Sequence, residues 1–591
     1  MTDGIKFAGA TFLGIFEGHF DPAVAIVRDG KLLAYAEEER FIRNKHANRV
    51  YPHRALSYCL KAAGVEPGDI TGIGLNWDID AFGDGRMATF FEGMAADWPL
   101  DAPTKGWQRS MLANFNRTAM TARHARAWRR AFGDVPLPEI IGVPHHLTHA
   151  LHSYLQSSFD KAVCLTIDGS GDHHCTVVWH CQGESVTPMR EIVMPHSLGW
   201  FYAAFTEYLG FEAYDGEYKV MGLAAYGRPD ADLAAKVAKI LYPAGDGIEY
   251  RLDPSFIHYG PRTWSDRFTD HLPELFGRAP RLRDDPIEDW HQDLAFAVQT
   301  ALEDAVEPLA RWALKEAGTG NLCVGGGVGL NVKMNTRLHT LGEVEHVFAQ
   351  PLCSDGGAAA GAALVACWQK TGAHPEALRT LATGPETNDE EIEATLKLCG
   401  LSYEKPADIA EAVADDLAAG RVVGWFQGRM EAGPRALGQR SILADPRKAE
   451  ARDRVNAIIK YREYWRPFCP SITAESAVRY LKSHDDAPFM IIAFEATDAF
   501  KQDAPAVVHV DGTARVQMVH QDVLPLYHRL ISCFEARTGV SALLNTSFNV
   551  KGEPVVCTIH DALRTFFATG MDSLAAGSFL LRKPEKSAVP S

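Results

Sequence analysis

Two stretches of the chain carry the same signals in the same order. In FLGIFEGHFDPAVAIVRDGKLLAYAEEER (12–40), an apolar strand leads through a polar turn at Asp21-Pro22 into a second strand. An Asp29-Gly30 hairpin turn and a third strand follow. In AVCLTIDGSGDHHCTVVWHCQGESVTPM (162–189), the strand is 162–167 and the turn 168–172. The next strand is 175–180, and Gln182-Gly183 turns the chain into the last. Helical stretches come after each, such as RALSYCLKAAG (54–64) and DLAFAVQTALEDAVEPLARWALKEAG (293–318), which ends in a glycine. A strand-turn-strand-turn-strand unit used twice predicts a duplicated α/β domain with a cleft between its halves. Two unrelated sheets with ordinary hairpins are the plainer alternative.

At 591 residues the chain is too long for one compact core. Periodicity lapses over 370–389, where Pro, Gly and Thr accumulate. Beyond it, Asp408 and Glu411 form a capping box for a helix ending at Gly420, and RVVGWFQG (421–428) reads as a buried strand. This places a boundary near residue 385, with domains 1–385 and 386–591. The net charge of −16 argues against a basic nucleic-acid-binding face. No pair of the eleven cysteines is spaced C-x-x-C, and scattered thiols in a large chain suit a reducing cytoplasm. The apolar stretch 7–16 lacks a cationic n-region and reads as a first strand, not a signal peptide, and no stretch has the length of a membrane span.

The chemistry-bearing residues fall in three groups. The first lies in VPHHLTHALHSY (143–154), where His145 and His149 are four apart and share one helical face, whereas His146 points away and His152 is a further turn along. Asp168 and Asp355 sit where strands run into Gly-rich turns. Two histidines with two carboxylates suit iron, manganese or zinc, against the alternative of a merely histidine-rich helix. The second group is the glycine run in NLCVGGGVGLNVKMN (321–335), which fits a nucleotide loop or tight packing equally and matches neither common phosphate-loop spacing. The third is a cluster of cations in an acidic chain: Arg429, Arg435, Arg440, Arg447, Lys460, Arg462 and Arg466, interleaved with Gly, Pro and aromatics. With Ser547 and Asn549 in LLNTSFNVKGEP (543–554), it suits the grip of a phosphate or carboxylate.

Eight ordered motifs together resemble the O-carbamoyltransferase family of natural-product and nodulation-factor enzymes: AEEERFIRNKH, HHLTHA, DGSGD, YKVMGLAAYG, GGGVGLNVKMN, GPRALGQRSILADPR, REYWRPF and LNTSFN. The resemblance implies an α/β chain with a duplicated actin-like (RNase H-like) ATPase-fold domain, shared with the tRNA threonylcarbamoyl transfer protein, followed by a YrdC-like α/β domain. It implies that ATP and carbamoyl phosphate give carbamoyl-adenylate and pyrophosphate in the second domain. An acceptor hydroxyl then attacks the carbonyl at a metal site in the first.

On this resemblance Arg435, Arg440, Lys460 and Arg466 would offset phosphate charge, with Ser547 and Asn549 as neutral donors. His145, His149, Asp168 and Asp355 would hold the metal, iron(II) ahead of manganese or zinc, with magnesium accompanying ATP. Gly169, Ser170, Gly171, Gly325, Gly326, Gly327 and Asn331 would line the nucleotide. Family members often show a contiguous His-Asp pair where this chain has GHFDP, so the base that deprotonates the acceptor is left between His19 and Asp21. The implied partners are carbamoyl phosphate, ATP and a small-molecule hydroxyl acceptor, with no nucleic acid or membrane and with a homodimer left open. The acylphosphatase domain and C-x-x-C pairs of the hydrogenase-maturing relatives are missing from this sequence. A small-molecule kinase on the same fold and a non-catalytic nucleotide-binding regulator are the rival readings.

Overall fold

The computed structural model describes residues 9–17, 20–98, 100–260, 266–463 and 465–584. These form two compact units: residues up to Ala34 with Arg49–Leu378, and Tyr35–Asn48 with residues from Arg379 onward. The break after Leu378 falls inside the Pro- and Gly-rich linker. Nothing in the periodicity of the N-terminal hairpin announces the excursion of Tyr35–Asn48 into the second unit.

The first unit holds two five-stranded sheets. One contains β1 (Thr11–Phe16), β2 (Ala23–Arg28), β3 (Lys31–Glu37, whose last three residues are counted with the second unit), β4 (Ile70–Leu75) and β5 (Glu139–Gly142) in the order β3-β2-β1-β4-β5. β1 and β2 are antiparallel, with Thr11 opposite Arg28, whereas β4 runs parallel to both β1 and β5. The second contains β6 (Lys161–Gly171), β7 (His174–Gln182) and β8 (Ser185–Val193). After a two-stranded ribbon of β9 (Leu241–Ala244) and β10 (Glu249–Leu252), it is completed by β11 (Asn321–Gly325) and β12 (His346–Ala349). Its order is β8-β7-β6-β11-β12, with β6 antiparallel to β7 and parallel to β11. The same five-strand path is thus laid down twice, which is the duplicated actin-like (RNase H-like) fold.

The strands at the centre are buried on both faces, as their largely apolar sequences TFLGIF and NLCVG allow. The helix Ala358–Thr371, built of small residues and buried from Ala358 to Cys367, packs on β1 and β4. One expected turn differs. The stretch 168–171 continues β6, and its ladder with β7 breaks between Ile167 and Gly171. The chain reverses at Asp172, whose φ is 53°. The interruption is a bulge, which takes Asp168 out of the pairing pattern and re-aims its side chain.

The second unit is built on a seven-stranded mixed sheet of β13 (Val423–Phe426), β14 (Arg440–Ala444), β15 (Cys469–Thr473), β18 (Gln517–Val519), β19 (Ala542–Ser547), β20 (Ser573–Ala576) and β21 (Phe579–Arg582). A short ribbon of β16 (Phe494–Glu495) and β17 (Thr513–Ala514) lies apart from it. The order is β18-β15-β19-β14-β13-β20-β21, with β13 antiparallel to β14 and parallel to β20. This is the α/β layout expected of the C-terminal domain. Asp408 caps the helix Ile409–Ala418 through the N–H groups of Ala410 and Glu411. All eleven cysteines are free thiols. No helix among the described residues is long and apolar enough to cross a membrane.

Leu165 on β6 has no exposed surface. Leu165→Ala is expected to destabilise the first unit by about 2–5 kcal/mol, read from the shift of its urea midpoint.

Candidate metal centre and anion site

The helix His145–Gln156 is buried along almost its whole length, and its N-cap residue Pro144 gives no side-chain cap. Asp172 supplies one from the β6–β7 turn: Oδ2 accepts the His145 N–H at 2.9 Å and Oδ1 accepts the Asp78 N–H at 3.0 Å. Burial pushes the Asp172 carboxyl up to about 6. Gly171 makes the seat. A Cβ there would stand 2.0 Å from His145 Cδ2, so a side chain at this position would displace the ring.

Seated in this way, the helix presents His145 and His149 with their Nε2 atoms 3.1 Å apart. Asp168 Oδ2, from the bulged end of β6, lies 3.6 Å and 3.3 Å from them. Asp355 Oδ1, from the loop after β12, lies 3.4 Å and 3.6 Å from the same pair. All four ligand atoms fall within 4.8 Å of one another. The structure therefore brings together the four residues singled out in the sequence. Both imidazoles are buried, whereas the Asp355 side chain is 36% exposed, so the cluster opens on its acidic side.

The arrangement fits a cation. Bonds of about 2.0–2.2 Å to one ion separate neighbouring ligand atoms by about 3.0–3.6 Å, the spacing found here. Two Nε2 atoms in near contact cannot both be bare acceptors, so a proton or a metal has to lie between them. Asp355 Oδ1 and His149 Nδ1 are buried without a hydrogen-bond partner. Burial disfavours a charged His149, yet Asp168 and Asp355 raise its pKa to about 9. Against the same burial, His145 and His149 hold the Asp168 carboxyl well below the usual range. Asn76, at the end of β4, places Nδ2 3.3 Å from His145 Nδ1. With its amide turned over, Oδ1 would accept the Nδ1 proton and leave Nε2 for a metal.

His146 is engaged elsewhere, with Nδ1 2.9 Å from Thr166 Oγ1 and Nε2 3.2 Å from the His174 carbonyl. His152 packs beside Gly361, and burial lowers its pKa to about 3, which leaves it neutral. Neither joins the cluster.

Asp168 also ties the two glycine stretches together. Its Oδ1 accepts the Gly169 N–H at 2.7 Å and its Oδ2 the Gly327 N–H at 3.1 Å. Ser170 is half-buried between them in sequence, and Gly325 and Gly326 lead from β11 into the loop. Two of the residues proposed to line a nucleotide also have contacts within the fold. Gly171 accommodates His145, and Asn331 caps the helix Val332–His339 while pairing with Gln299. Asp21 lies in the turn after β1 with φ 45°. His19 lies outside the described residues.

In the second unit Lys460 ends a π-helical turn and donates to four oxygens: Ser547 O and Oγ at 2.5 Å and 3.2 Å, and Asn549 O and Oδ1 at 3.0 Å and 2.8 Å. Burial, then Arg462 and Arg466, push its pKa well below that of an ordinary lysine. Arg466 is 3.6 Å from Glu463, and Arg435 is half-buried on the loop 433–440. The placement of Arg440 differs from the expectation of a substrate contact. It is fully buried over the Phe426 ring and donates to the carbonyls of Gln427, Gln439, Pro385 and Gly428. It braces the backbone. Glu431, which no sequence signal marked, holds the same loop by accepting from the N–H groups of Leu437, Gln439 and Arg440.

Residues 11–364 match the family model for the carbamoyltransferase N-terminus, and residues 414–583 match that for the carbamoyltransferase C-terminus. The chain belongs to the carbamoyltransferase family. An uncharacterised Synechocystis protein is 36% identical over 97% of this chain and 96% of its own. The nodulation protein NolNO of Sinorhizobium fredii is 37% identical over 95% of this chain and 79% of its own. A 3'-hydroxymethylcephem-O-carbamoyltransferase of Amycolatopsis lactamdurans is 33% identical over 62% and 65%. The protein is a transferase enzyme, and its histidine–aspartate cluster lies within the span of the N-terminal family model.

Gly171→Ala is expected to displace the His145 ring and weaken metal binding at least tenfold without altering a ligand. Calorimetric titration with manganese or zinc measures it, alongside a melting curve that shows the fold retained.

Proposed function

We propose that this carbamoyltransferase works in two steps, one in each unit. In the second, carbamoyl phosphate, water and ATP give carbamoyl-adenylate, phosphate and pyrophosphate. A carbamate oxygen bonds to the α-phosphorus as pyrophosphate leaves, with magnesium accompanying the ATP. In the first, an acceptor hydroxyl attacks the adenylate carbonyl, giving the carbamate ester and AMP.

The observation that carries this reading is the convergence of Lys460, Ser547 and Asn549 in one unit, separate from the four-residue cluster in the other. A dianion meeting a triphosphate needs fixed positive charge, and Lys460 with Arg435 and Arg466 would supply it where water is excluded. Ser547 and Asn549, which hold the lysine in the free enzyme, would turn their donors to the phosphate. A divalent metal held by His145, His149, Asp168 and Asp355, iron ahead of manganese or zinc, supplies Lewis-acid polarisation of the carbonyl. Gly169, Ser170 and the 325–327 glycines would line the nucleotide, with the Gly169 and Gly327 N–H groups kept by Asp168, and Asp21 or His19 takes the acceptor proton. The names of the cephem and nodulation relatives support a natural-product or nodulation-factor hydroxyl as acceptor. The free thiols suit the cytoplasm.

AMP and pyrophosphate should form only with carbamoyl phosphate present; ADP formation independent of it would favour the kinase reading. Lys460→Ala should lower adenylate formation at least a hundredfold, several kcal/mol of transition-state stabilisation. His149→Ala should lose metal and transfer yet keep adenylate synthesis. Equal metal content in wild type and variant would return the helix to a structural role.

The lowered pKa of Lys460 adds a sign. A bound dianion raises that pKa, so binding takes up a proton and the KM for carbamoyl phosphate should rise with pH. A flat profile would show Lys460 charged throughout.

A further inference from the structure

The motif AEEERFIRNKH has no task in the two-step reading. It follows the N-terminal hairpin directly in sequence, yet it lies in the second unit with the anion site. Glu37, Glu38, Glu39 and Arg40 are all buried. Arg40 sits between two acids, Nε 3.4 Å from Glu37 Oε2 and Nη1 3.3 Å from Glu39 Oε1. Glu39 Oε2 in turn accepts the His46 N–H at 2.7 Å, closing the segment on itself. Buried ion pairs add little net stability over apolar residues of similar volume, so stability alone is a weak reason for this cluster.

What the cluster touches gives a better one. Glu37 Oε1 accepts the Gly433 N–H at 2.7 Å, and Arg40 Nη2 donates to the Gly433 carbonyl at 2.8 Å. Both polar atoms of one backbone residue, with φ 83°, are thereby held two positions before Arg435. On the other side, Arg43 donates from Nη1 to the Val555 carbonyl at 2.6 Å and from Nη2 to the Pro554 carbonyl at 2.8 Å. Its Nε lies 3.3 Å from Asp561, which caps the helix Ile559–Ala568. Between these anchors Phe41 packs against Met430, Val555 and Cys557. One short segment therefore grips the loop that carries Arg435 and the loop that follows Asn549.

We propose that Glu37, Arg40 and Arg43 are positioning residues for the anion site of the second unit, fixing the backbone from which Arg435 and Asn549 reach the substrate. The proposal rests on the two-step reading. A guanidinium on four rotatable bonds stabilises a transition state only if its root is held still, and a misplacement of about 1 Å can cost about a hundredfold in rate.

The test uses the full-length enzyme and carbamoyl-phosphate-dependent AMP formation. Arg40→Lys should lower kcat about 10- to 100-fold, with metal content and melting temperature close to wild type. The discriminating measurement repeats the change in an Arg435→Lys background. If Arg40 acts through Arg435, the second loss should be less than about threefold, because the group being positioned is already impaired. Losses that multiply in full, or near-normal activity in Arg40→Lys, would overturn the proposal. Should Arg40→Lys fail to fold, Arg43→Lys at its partly exposed site is tested in the same way against Asn549→Ala, with the same two outcomes. A wild-type enzyme that makes no AMP, or an Arg435→Lys enzyme with full activity, would remove the two-step reading and this proposal with it.

Discussion

Two carboxylates face two buried imidazoles across 3.3–3.6 Å, and much of the first unit is arranged to allow it. Such a group is unfavourable without positive charge at its centre, since two carboxylate oxygens and two ring nitrogens would otherwise converge as acceptors. The surrounding structure supplies the geometry. The bulge in β6 turns Asp168 off the ladder, Asp172 caps the histidine helix, and Gly171 leaves space for the ring of His145. The duplicated sheet places strand ends from different parts of the chain within reach of one another. His145 and His149 come from one helix, Asp168 from the bulged end of β6 and Asp355 from the loop after β12.

The second unit solves a different electrostatic problem. The proposed anion site has to hold cations while no anion is bound. Lys460 does so by lodging among oxygens of Ser547 and Asn549, where burial and neighbouring arginines weaken its hold on a proton. Arg440 is immobilised by four carbonyls, and Glu431 gathers three N–H groups of the same loop. The rigid parts are thus buried charges satisfied by backbone, whereas Lys460 is held by side-chain as well as backbone oxygens.

Much of this was legible in the sequence because it is local. Alternating hairpins, Asp29-Gly30 turns, glycine-closed helices and the i, i+4 histidines each declare themselves within a dozen residues. Asp168 and Asp355 could be read from their places at strand ends. Arg440 could not, because a guanidinium facing phosphate and one facing carbonyls have the same neighbours in sequence. Asn331 was ambiguous for a related reason, since a side chain that caps a helix beside glycines resembles one that lines a nucleotide. Asn76 and Asp172 act singly and at long range, and Glu431 binds back onto its own loop, with no spacing to mark any of them. The docking of Tyr35–Asn48 in the second unit depends on Gly433, Pro554 and Val555, which lie hundreds of residues away and carry no complementary pattern.

On the proposed reading a metal ion occupies the space between His145, His149, Asp168 and Asp355. Anomalous diffraction from crystals of the protein as purified, collected on both sides of the iron, manganese and zinc edges, tests it most directly. With the ion in place, one strong peak is expected about 2.0–2.2 Å from both Nε2 atoms and from an oxygen of each carboxylate. A crystal grown with those metals available that shows no peak there, or a peak only at other residues, would contradict it.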